Sequence, residues 1–289
     1  MALLSLMGSS FIVYDTTRTR QKRQKLVNQM LIALSIFDIF GSIAYAFTSF
    51  PTPKSDYIYG AHGNSKSCVA QSFFIQIGTI ACFLNVSLSI YYLLTISYNW
   101  SENALKKKRM LFLAPPILVG LSFAFAGIPF YDNMILWCNN SARWWPEIPV
   151  IISITMATGI MGSLCLNVYR TEKATGRYTN NGNTLSLSVF KQARWFVGAF
   201  YITWVPYLAL QYTWSSGKAF TGYGFIISAG SLVPLQGFWN YVVYIRPRYL
   251  DRSVSGYFRN RFTSFSKSVT NAVTGSSKTS QIRTTIPAT

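Results

Sequence analysis

Residues 231–249, SLVPLQGFWNYVVYIRPRY, decide the fold class of this chain. The stretch begins as an apolar helix, carries Pro234, Gln236 and Asn240 in its interior, and stops at Arg246-Pro247-Arg248. Polar side chains inside an apolar span are costly, so they face protein or water and often serve function. Proline ends a helix, and arginine side chains reach for the membrane surface. The stretch is therefore predicted to be the last of several membrane spans.

The composition of the whole chain supports a membrane protein. Hydrophobic residues make up 50% of the 289 residues, whereas charged residues make up 12%, about half of the share in soluble domains. The chain has 26 Lys and Arg against 8 Asp and Glu, a net charge of +18. In a soluble protein this charge would indicate nucleic-acid binding. Here the basic residues lie in short runs between long apolar stretches, so we expect a lipid bilayer and no nucleic acid as partner.

Seven apolar segments predict an all-α fold, an integral membrane bundle of seven transmembrane helices over residues 1–249. A helix needs roughly 20 residues to cross the hydrocarbon. The first segment covers only about 20 Å, so we expect this short helix to be N-terminally incomplete; the alternative is six spans and a partly inserted stub. The predicted spans are 2–14, 26–50, 69–98, 110–131, 148–169, 195–214 and 222–245.

The loops between these segments differ in charge, and this difference predicts the orientation. Almost all Lys and Arg residues fall in alternate connections and in the C-terminal tail; the exceptions are Lys54, Lys66, Arg143 and Lys218. Basic loops stay in the cytoplasm. We therefore expect a multi-pass plasma-membrane protein with its N-terminus outside and its C-terminus in the cytoplasm, which requires an odd number of spans.

Two cysteines lie on the predicted outer side. Cys68 opens the third span, and Cys138 lies in the loop between spans four and five. In an oxidising compartment they form either a disulfide that pins this loop over the bundle or two unpaired thiols. The next residues, Asn139-Asn140-Ser141, form a glycosylation sequon on the same side. The sequence predicts a glycoprotein modified at Asn139, or else a chance triplet.

The region after the last span divides into two parts. Residues 250–266 place apolar side chains at helical spacing and arginines elsewhere, which predicts an amphipathic helix on the inner membrane surface. The alternative is a disordered basic tail. Residues 267–289 are rich in Ser, Thr, Asn and Gly and are predicted to be a disordered cytoplasmic tail.

Several chemistries lack the residues that they need. A retinal protein needs a lysine in the seventh span, and residues 222–245 contain none. The only histidine is His62, in a predicted outer loop, so a histidine-based intramembrane metal centre is excluded. Ion-coupled transporters usually carry several intramembrane charges, whereas this chain has only Asp38. We expect no enzyme activity, no cofactor and no metal site.

The remaining motifs resemble those of the G-protein-coupled receptors over nearly the whole chain. In the second span, residues 34–38, LSIFD, look like the Leu-x-x-x-Asp pattern of many such receptors. In the seventh span, Asn240 and Tyr244 keep the spacing of the Asn-Pro-x-x-Tyr motif. Cys68 and Cys138 match the family's bridge from the third span to the second outer loop. The sixth span is similar to the family's Phe-x-x-x-Trp-x-Pro-Tyr pattern at Phe200, Trp204, Pro206 and Tyr207.

Departures from these motifs indicate a branch of the family. Tyr241 stands where the rhodopsin-like pattern has Pro, and the third span ends in residues 97–100, SYNW, without an Asp-Arg-Tyr triplet. Residues 235–240, LQGFWN, are instead similar to the seventh span of the cyclic-AMP-receptor-like and secretin-like branches. The chain therefore resembles most closely the cyclic-AMP-receptor-like group.

This resemblance implies a receptor that passes the binding of an unknown extracellular ligand to a heterotrimeric G protein. The implied activation switch comprises Trp204, Pro206, Asp38, Asn240, Tyr244 and Gln236. In it, Asp38, Asn240 and Tyr244 would form a polar thread between the second and seventh spans. Each residue also has a plain packing or hydrogen-bonding alternative. The basic residues of the predicted cytoplasmic loops are already explained by the membrane topology. They would also suit a surface that binds the G protein, which we call the G-protein face: Lys106, Lys107, Lys108, Arg109, Lys173, Arg177 and Lys191. Outer aromatics form either a ligand vestibule or interface anchors: Trp137, Trp144, Trp145, Tyr207, Tyr212 and Trp214. The alternative functions are a small-solute transporter and a non-signalling scaffold.

Overall fold

The protein is mostly helical in a computed structural model. The structure describes residues 1–54, 58–98, 100–133, 137–142, 145, 147–174, 185–215 and 222–245. The predicted surface helix over 250–266 and the predicted tail over 267–289 lie outside the described residues. The chain divides into two compact units, Met1–Val243 and Tyr244–Thr289.

The N-terminal part consists of α1 (Ala2–Thr17), the single turn α2 (Arg20–Arg23) and α3 (Leu26–Ala46). Helix α1 continues past the apolar segment to Thr17, and the hydroxyls of Thr16 and Thr17 donate to backbone carbonyls of the preceding turn. It has 16 residues and is therefore about 24 Å long. It packs along α3.

The third predicted span is one long helical element that is more buried than the others. It comprises α4 (Ser65–Gly78), α5 (Ile80–Tyr92) and a π-helical end, Leu93–Ser97. It begins earlier than the apolar run because the Asn64 side chain caps the helix by accepting from the Ser67 amide. In its most apolar window, 72% of the residues are buried inside the protein, against at most 44% in the other long apolar helices. This element therefore lies at the centre of the described bundle.

A two-stranded sheet follows the next span. Helix α6 (Glu102–Lys107) leads into α7 (Arg109–Ala126), a 3₁₀ turn (Ile128–Phe130), and strands β1 (Tyr131–Asn133) and β2 (Cys138–Asn140). The strands are antiparallel, with Tyr131 opposite Asn140 and Asn133 opposite Cys138. We call these two strands the outer hairpin, because the predicted topology puts the loop that contains Cys138 outside. The purely helical prediction did not include it.

The last elements are α8 (Glu147–Ala174), α9 (Leu185–Ser215), α10 (Tyr223–Leu232), a 3₁₀ turn (Val233–Leu235) and a further helix over 236–245, which we call α11. Pro234 lies inside the 3₁₀ turn. Proline has no amide hydrogen and its ring clashes with the carbonyl one turn earlier. The predicted seventh span is therefore interrupted between α10 and α11.

Four of the described helical segments are long and apolar enough to cross a membrane: Leu26–Ala46, Ser65–Ser97, Arg109–Ala126 and Glu147–Thr171. A shorter apolar stretch, Val197–Leu210, lies within α9. Large apolar side chains also cover the outside of these helices; on α7, Leu111 and Leu118 are both more than 60% exposed. These features are compatible with a multi-pass membrane protein, because lipid and not water would contact those side chains.

Candidate functional site

A hydrogen bond joins two residues of the predicted switch, Asp38 on α3 and Asn240 on α11. The Asn240 Nδ2 atom donates to Asp38 Oδ2 at 2.8 Å. Asp38 is only 6% exposed, because it lies on the α3 face that also buries Leu34 and Ser42, one turn away on either side. Tyr244 belongs to the second compact unit. The predicted contact between Asp38 and Asn240 is therefore present, and the part assigned to Tyr244 stays a prediction.

A second polar contact joins the centre of the bundle to α9. The indole Nε1 of Trp204 donates to Gln236 Oε1 at 3.1 Å. The same oxygen lies 3.7 Å from the sulfur of Cys82 on α5. Trp204 and Cys82 are buried. One amide side chain thus contacts residues of two other helices, and we call the five residues Asp38, Cys82, Trp204, Gln236 and Asn240 the polar junction.

Two small cavities adjoin the polar junction, and both are lined by Trp204 and Gln236. The first has a volume of about 20 Å³ and is also lined by Asp38, Ser42 and Thr79. The second has a volume of about 10 Å³. A cavity of roughly 10–15 Å³ holds one water molecule. These two cavities therefore suit water, and a larger ligand needs a different arrangement of the helices.

Buried polar atoms line the second cavity. Asn85 Oδ1 and Trp239 Nε1 have no hydrogen-bond partner among the described residues, and both side chains border this cavity. A buried polar atom without a partner costs about 1–3 kcal/mol. A single water molecule would satisfy both an acceptor and a donor here. The junction is therefore suited to rearranging its hydrogen bonds.

The disulfide predicted on the outer side is present. Cys68 on α4 and Cys138 on β2 are bonded, with their Cα atoms 5.3 Å apart. The bond ties the outer hairpin to the start of the central helical element. On β1, the Tyr131 hydroxyl donates to the Ala124 carbonyl at 2.7 Å, and burial raises the pKa of Tyr131, so this phenol keeps its proton at neutral pH.

A glutamine that the sequence did not single out holds the same hairpin. Gln71 Nε2 donates to the carbonyls of Ala44 at 3.0 Å and Thr48 at 2.7 Å. Its Oε1 accepts from the Cys138 amide at 3.0 Å. Because α3 ends at Ala46, Gln71 satisfies carbonyls that have no partner in the helix. Its only sequence signal is a polar residue one turn after Cys68 in an apolar run.

The predicted glycosylation site, Asn139, is buried in the structure. Asn139 is only 3% exposed, and its Nδ2 atom donates to the Tyr207 hydroxyl at 3.0 Å. A glycan would be attached to this nitrogen. Glycosylation of Asn139 therefore finds no support in this geometry.

The aromatic residues proposed as a vestibule contact different elements. The Trp137 ring packs edge to face against Tyr45 of α3, and Trp145 Nε1 donates to the Phe123 carbonyl of α7. Tyr212 is 61% exposed. Trp144 and the side chain of Trp214 lie outside the described residues. Tyr207 of the proposed collar has a contact that leads towards the polar junction, since its ring packs against Trp204.

The basic residues proposed as a G-protein face are exposed where the structure describes them. These are Lys106, Lys107, Lys108, Arg109 and Lys173. Lys108 stacks over the Trp100 ring with its Nζ atom 4.9 Å from the ring centre. Arg177 and the side chain of Lys191 lie outside the described residues. The described cations lie at the ends of α6, α7 and α8.

Within the described part of the chain, no cluster of three or more His, Cys, Asp and Glu side chains could hold a metal ion. The polar junction offers hydrogen bonds and one carboxyl group, which suit a conformational switch. In comparisons with known proteins, the sequence matches no protein-family model and no curated protein at a significant level.

Proposed function

We propose that this protein is a G-protein-coupled receptor of the plasma membrane, in which ligand binding outside rearranges the helices and activates a heterotrimeric G protein inside. The observation that carries this proposal is the polar junction. Its five residues come from α3, α5, α9 and α11. One hydrogen bond joins Asp38 to Asn240, and a second hydrogen bond and a thiol contact join Gln236 to Trp204 and Cys82 beside the same cavity. Buried polar contacts between helices are expensive unless they serve packing specificity or function.

In this proposal the chain crosses the membrane seven times. The spans are α1, α3, the α4–α5 element, α7, α8, α9 and the α10–α11 pair. The contact between the first and last spans supports a closed ring, because the Gly237 amide of α11 donates to Ser5 Oγ of α1 at 2.9 Å. The charge distribution of the sequence supports an N-terminus outside and a C-terminal tail in the cytoplasm.

The proposed switch uses the hydrogen bond between Trp204 and Gln236. Two residues further along α9, Pro206 has no amide hydrogen for the Ile202 carbonyl one turn earlier, so this part of α9 is the easiest to bend. A ligand that binds the bent arrangement more tightly shifts the population by its difference in affinity. Bending α9 would move its inner end and change the surface that the G protein meets.

The proposed partner binds at the inner ends of α6, α7 and α8. Exposed Lys106, Lys107, Arg109 and Lys173 give this surface a positive charge. Complementary charge accelerates association with an acidic partner. The coupling itself rests on the resemblance to receptors and not on these charges.

The test is a nucleotide-exchange assay in membranes that contain this protein and co-expressed G proteins, screened across candidate ligands. We expect exchange that requires the protein, and we expect Pro206→Ala to change it at least threefold at equal surface expression. The matched control is Pro115→Ala, because Pro115 lies inside α7 with an exposed side chain. Equal loss of exchange and surface expression in Pro206→Ala would contradict the proposed hinge.

The same membranes discriminate the alternatives. Solute uptake without nucleotide exchange would identify a transporter, and neither activity would leave a scaffold. Epitope tags before Leu3 and after Ser276 should be found outside and inside intact cells, respectively. Tags on the same side would contradict the seven-span topology.

A further inference from the structure

We propose that the outer hairpin is a built-in cap of the receptor, and that Asn139 on β2 is the residue through which this cap holds α9 in its resting arrangement. This inference rests on the proposed function. In this proposal an external ligand acts by breaking or strengthening the contact between Asn139 and Tyr207.

The hairpin is fastened to the bundle beside Asn139. Cys138, the preceding residue, is bonded to Cys68, and its amide donates to Gln71. The Thr52 hydroxyl lies 3.6 Å from the Cys138 sulfur. All these side chains are buried. Three contacts from two parts of the chain, helix α4 and the segment around Thr52, therefore hold β2 in place.

From this position, Asn139 reaches α9. Its amide donates to the Tyr207 hydroxyl at 3.0 Å. The Tyr207 ring packs edge to face against Trp204, with 6.0 Å between the ring centres. Trp204 in turn donates to Gln236 at 3.1 Å. The contacts between the outer hairpin and the polar junction are thus continuous, with one aromatic pair between them.

The seat of the hairpin is incompletely satisfied. Asn139 Oδ1 and Asn140 Nδ2 are buried and have no hydrogen-bond partner among the described residues. Static cores satisfy nearly all such atoms, whereas an element that moves between two positions satisfies only part of them in each. These two atoms are therefore available to other hydrogen-bond partners when Asn139 leaves Tyr207.

The consequence is a defined effect on signalling. While Asn139 bonds Tyr207, the aromatic pair is held next to Gln236 and α9 stays in its resting arrangement. Loss of this bond frees Tyr207 and Trp204 to move, and the population shifts towards the bent arrangement. The cap therefore acts as an intramolecular inverse agonist.

The experiment is a double-mutant cycle on the full-length protein with Asn139→Ala, Tyr207→Phe and the double variant. The control is Ser141→Ala, which also removes the sequon but leaves the Asn139 contact with Tyr207 in place. Thermal unfolding in detergent measures the contact itself. We expect each single variant to lower the Tm by about 2–4 °C, and the double variant to lower it by less than the sum.

The same variants are then compared for ligand-independent nucleotide exchange at equal surface expression. We expect Asn139→Ala and Tyr207→Phe to raise it at least threefold and Ser141→Ala to leave it unchanged. Additive Tm shifts would overturn the cap, and so would a glycan found on Asn139 of the mature protein by mass spectrometry. The Tm shifts could be coupled while exchange stays unchanged in a protein that does activate G proteins. That result would overturn the regulatory role of the cap.

Failure of the proposed function is distinguishable from these outcomes. If no variant and no ligand gives exchange, the receptor function is refuted, and with it the role of the cap in signalling. The unfolding cycle does not depend on a G protein, so it would still show whether Asn139 is seated on Tyr207. Ser141→Ala also removes the hydrogen bond from the Ser141 hydroxyl to the Phe130 carbonyl. An effect equal to that of Asn139→Ala, together with a glycan on wild-type Asn139, would therefore assign the change to glycosylation and overturn the cap.

Discussion

At the scale of the residue, side-chain amides make the contacts that join the helices. Gln71, Asn139, Gln236 and Asn240 each bond to a residue far away in the sequence. An amide offers both donors and acceptors without a charge, so it is less costly than an ionised group in an apolar bundle. Asp38 is the only carboxyl group of the junction, and the effect of each of these residues can be tested separately.

Asp38→Asn tests whether the carboxyl group does more than accept a hydrogen bond. The variant keeps the size of the side chain and an oxygen that accepts from Asn240. We expect normal surface expression and a change of at least threefold in exchange, because an acceptor that can ionise is lost. Exchange identical to the wild type would remove Asp38 from the mechanism.

Gln71→Met tests how the outer hairpin is held. The variant preserves volume but removes three hydrogen bonds, so we expect a loss of about 2 kcal/mol and a fall of roughly 4–8 °C in Tm. The control is Gln24→Met, at an exposed position after α2. Similar unfolding temperatures for the two variants would show that Gln71 does not hold the hairpin.

At the scale of the element, the spacing between helices depends on glycine where two backbones nearly touch. A Cβ atom added to Gly41 of α3 would lie 3.2 Å from the Cα atom of Gly78 on α4. Small residues allow this close approach in membrane bundles, where helix association depends on packing. The contact sets the distance between α3, which carries Asp38, and the central helical element, which carries Cys82.

Gly41→Val tests this contact. The added side chain must push α3 and α4 apart, and we expect a loss of about 1–3 kcal/mol, which thermal unfolding would detect. Gly159→Val on α8 is the matched control, because nothing lies within 4 Å of a Cβ atom added there. If both variants unfold at the same temperature, the distance between α3 and α4 is not set by Gly41.

At the scale of the whole molecule, the disulfide links the outer hairpin to a helix that lies far away in the sequence. It joins residues 70 positions apart. Closing a loop of this length in the unfolded chain corresponds to about 4 kcal/mol in the chain-entropy description. The disulfide and the hydrogen bond to Gln71 both involve Cys138, so both attach the hairpin to α4.

The double variant Cys68→Ser, Cys138→Ser tests the contribution of this bond. We expect its Tm to fall by roughly 8–16 °C, and reducing agent to lower the Tm of the wild type but not of the variant. Cys165→Ser provides the control, since Cys165 is a free thiol. A reductant effect that persists in the double variant would have another cause.

The sequence by itself determined where the helices lie and which two cysteines pair. Long apolar runs and the charges between them are local properties, and a membrane turns them directly into helices. The ends of the helices differ from the predicted ones. Helix α1 continues to Thr17, the Asn64 cap starts α4 before the apolar run, and Pro234 lies between α10 and α11. The contact of Asp38 with Asn240 was also expected, because both residues stand at motif positions that the resemblance to receptors brings together.

Only the tertiary structure decided how the outer side is built. Asn139 belongs to a sequon, which left open a glycan or a chance triplet, and only the fold shows it buried against Tyr207, 68 positions away. Gln71 gave almost no signal, and the outer aromatics contact separate elements. Burial and hydrogen-bond partners depend on which distant segments meet, and a local pattern of hydrophobicity and charge does not contain this information.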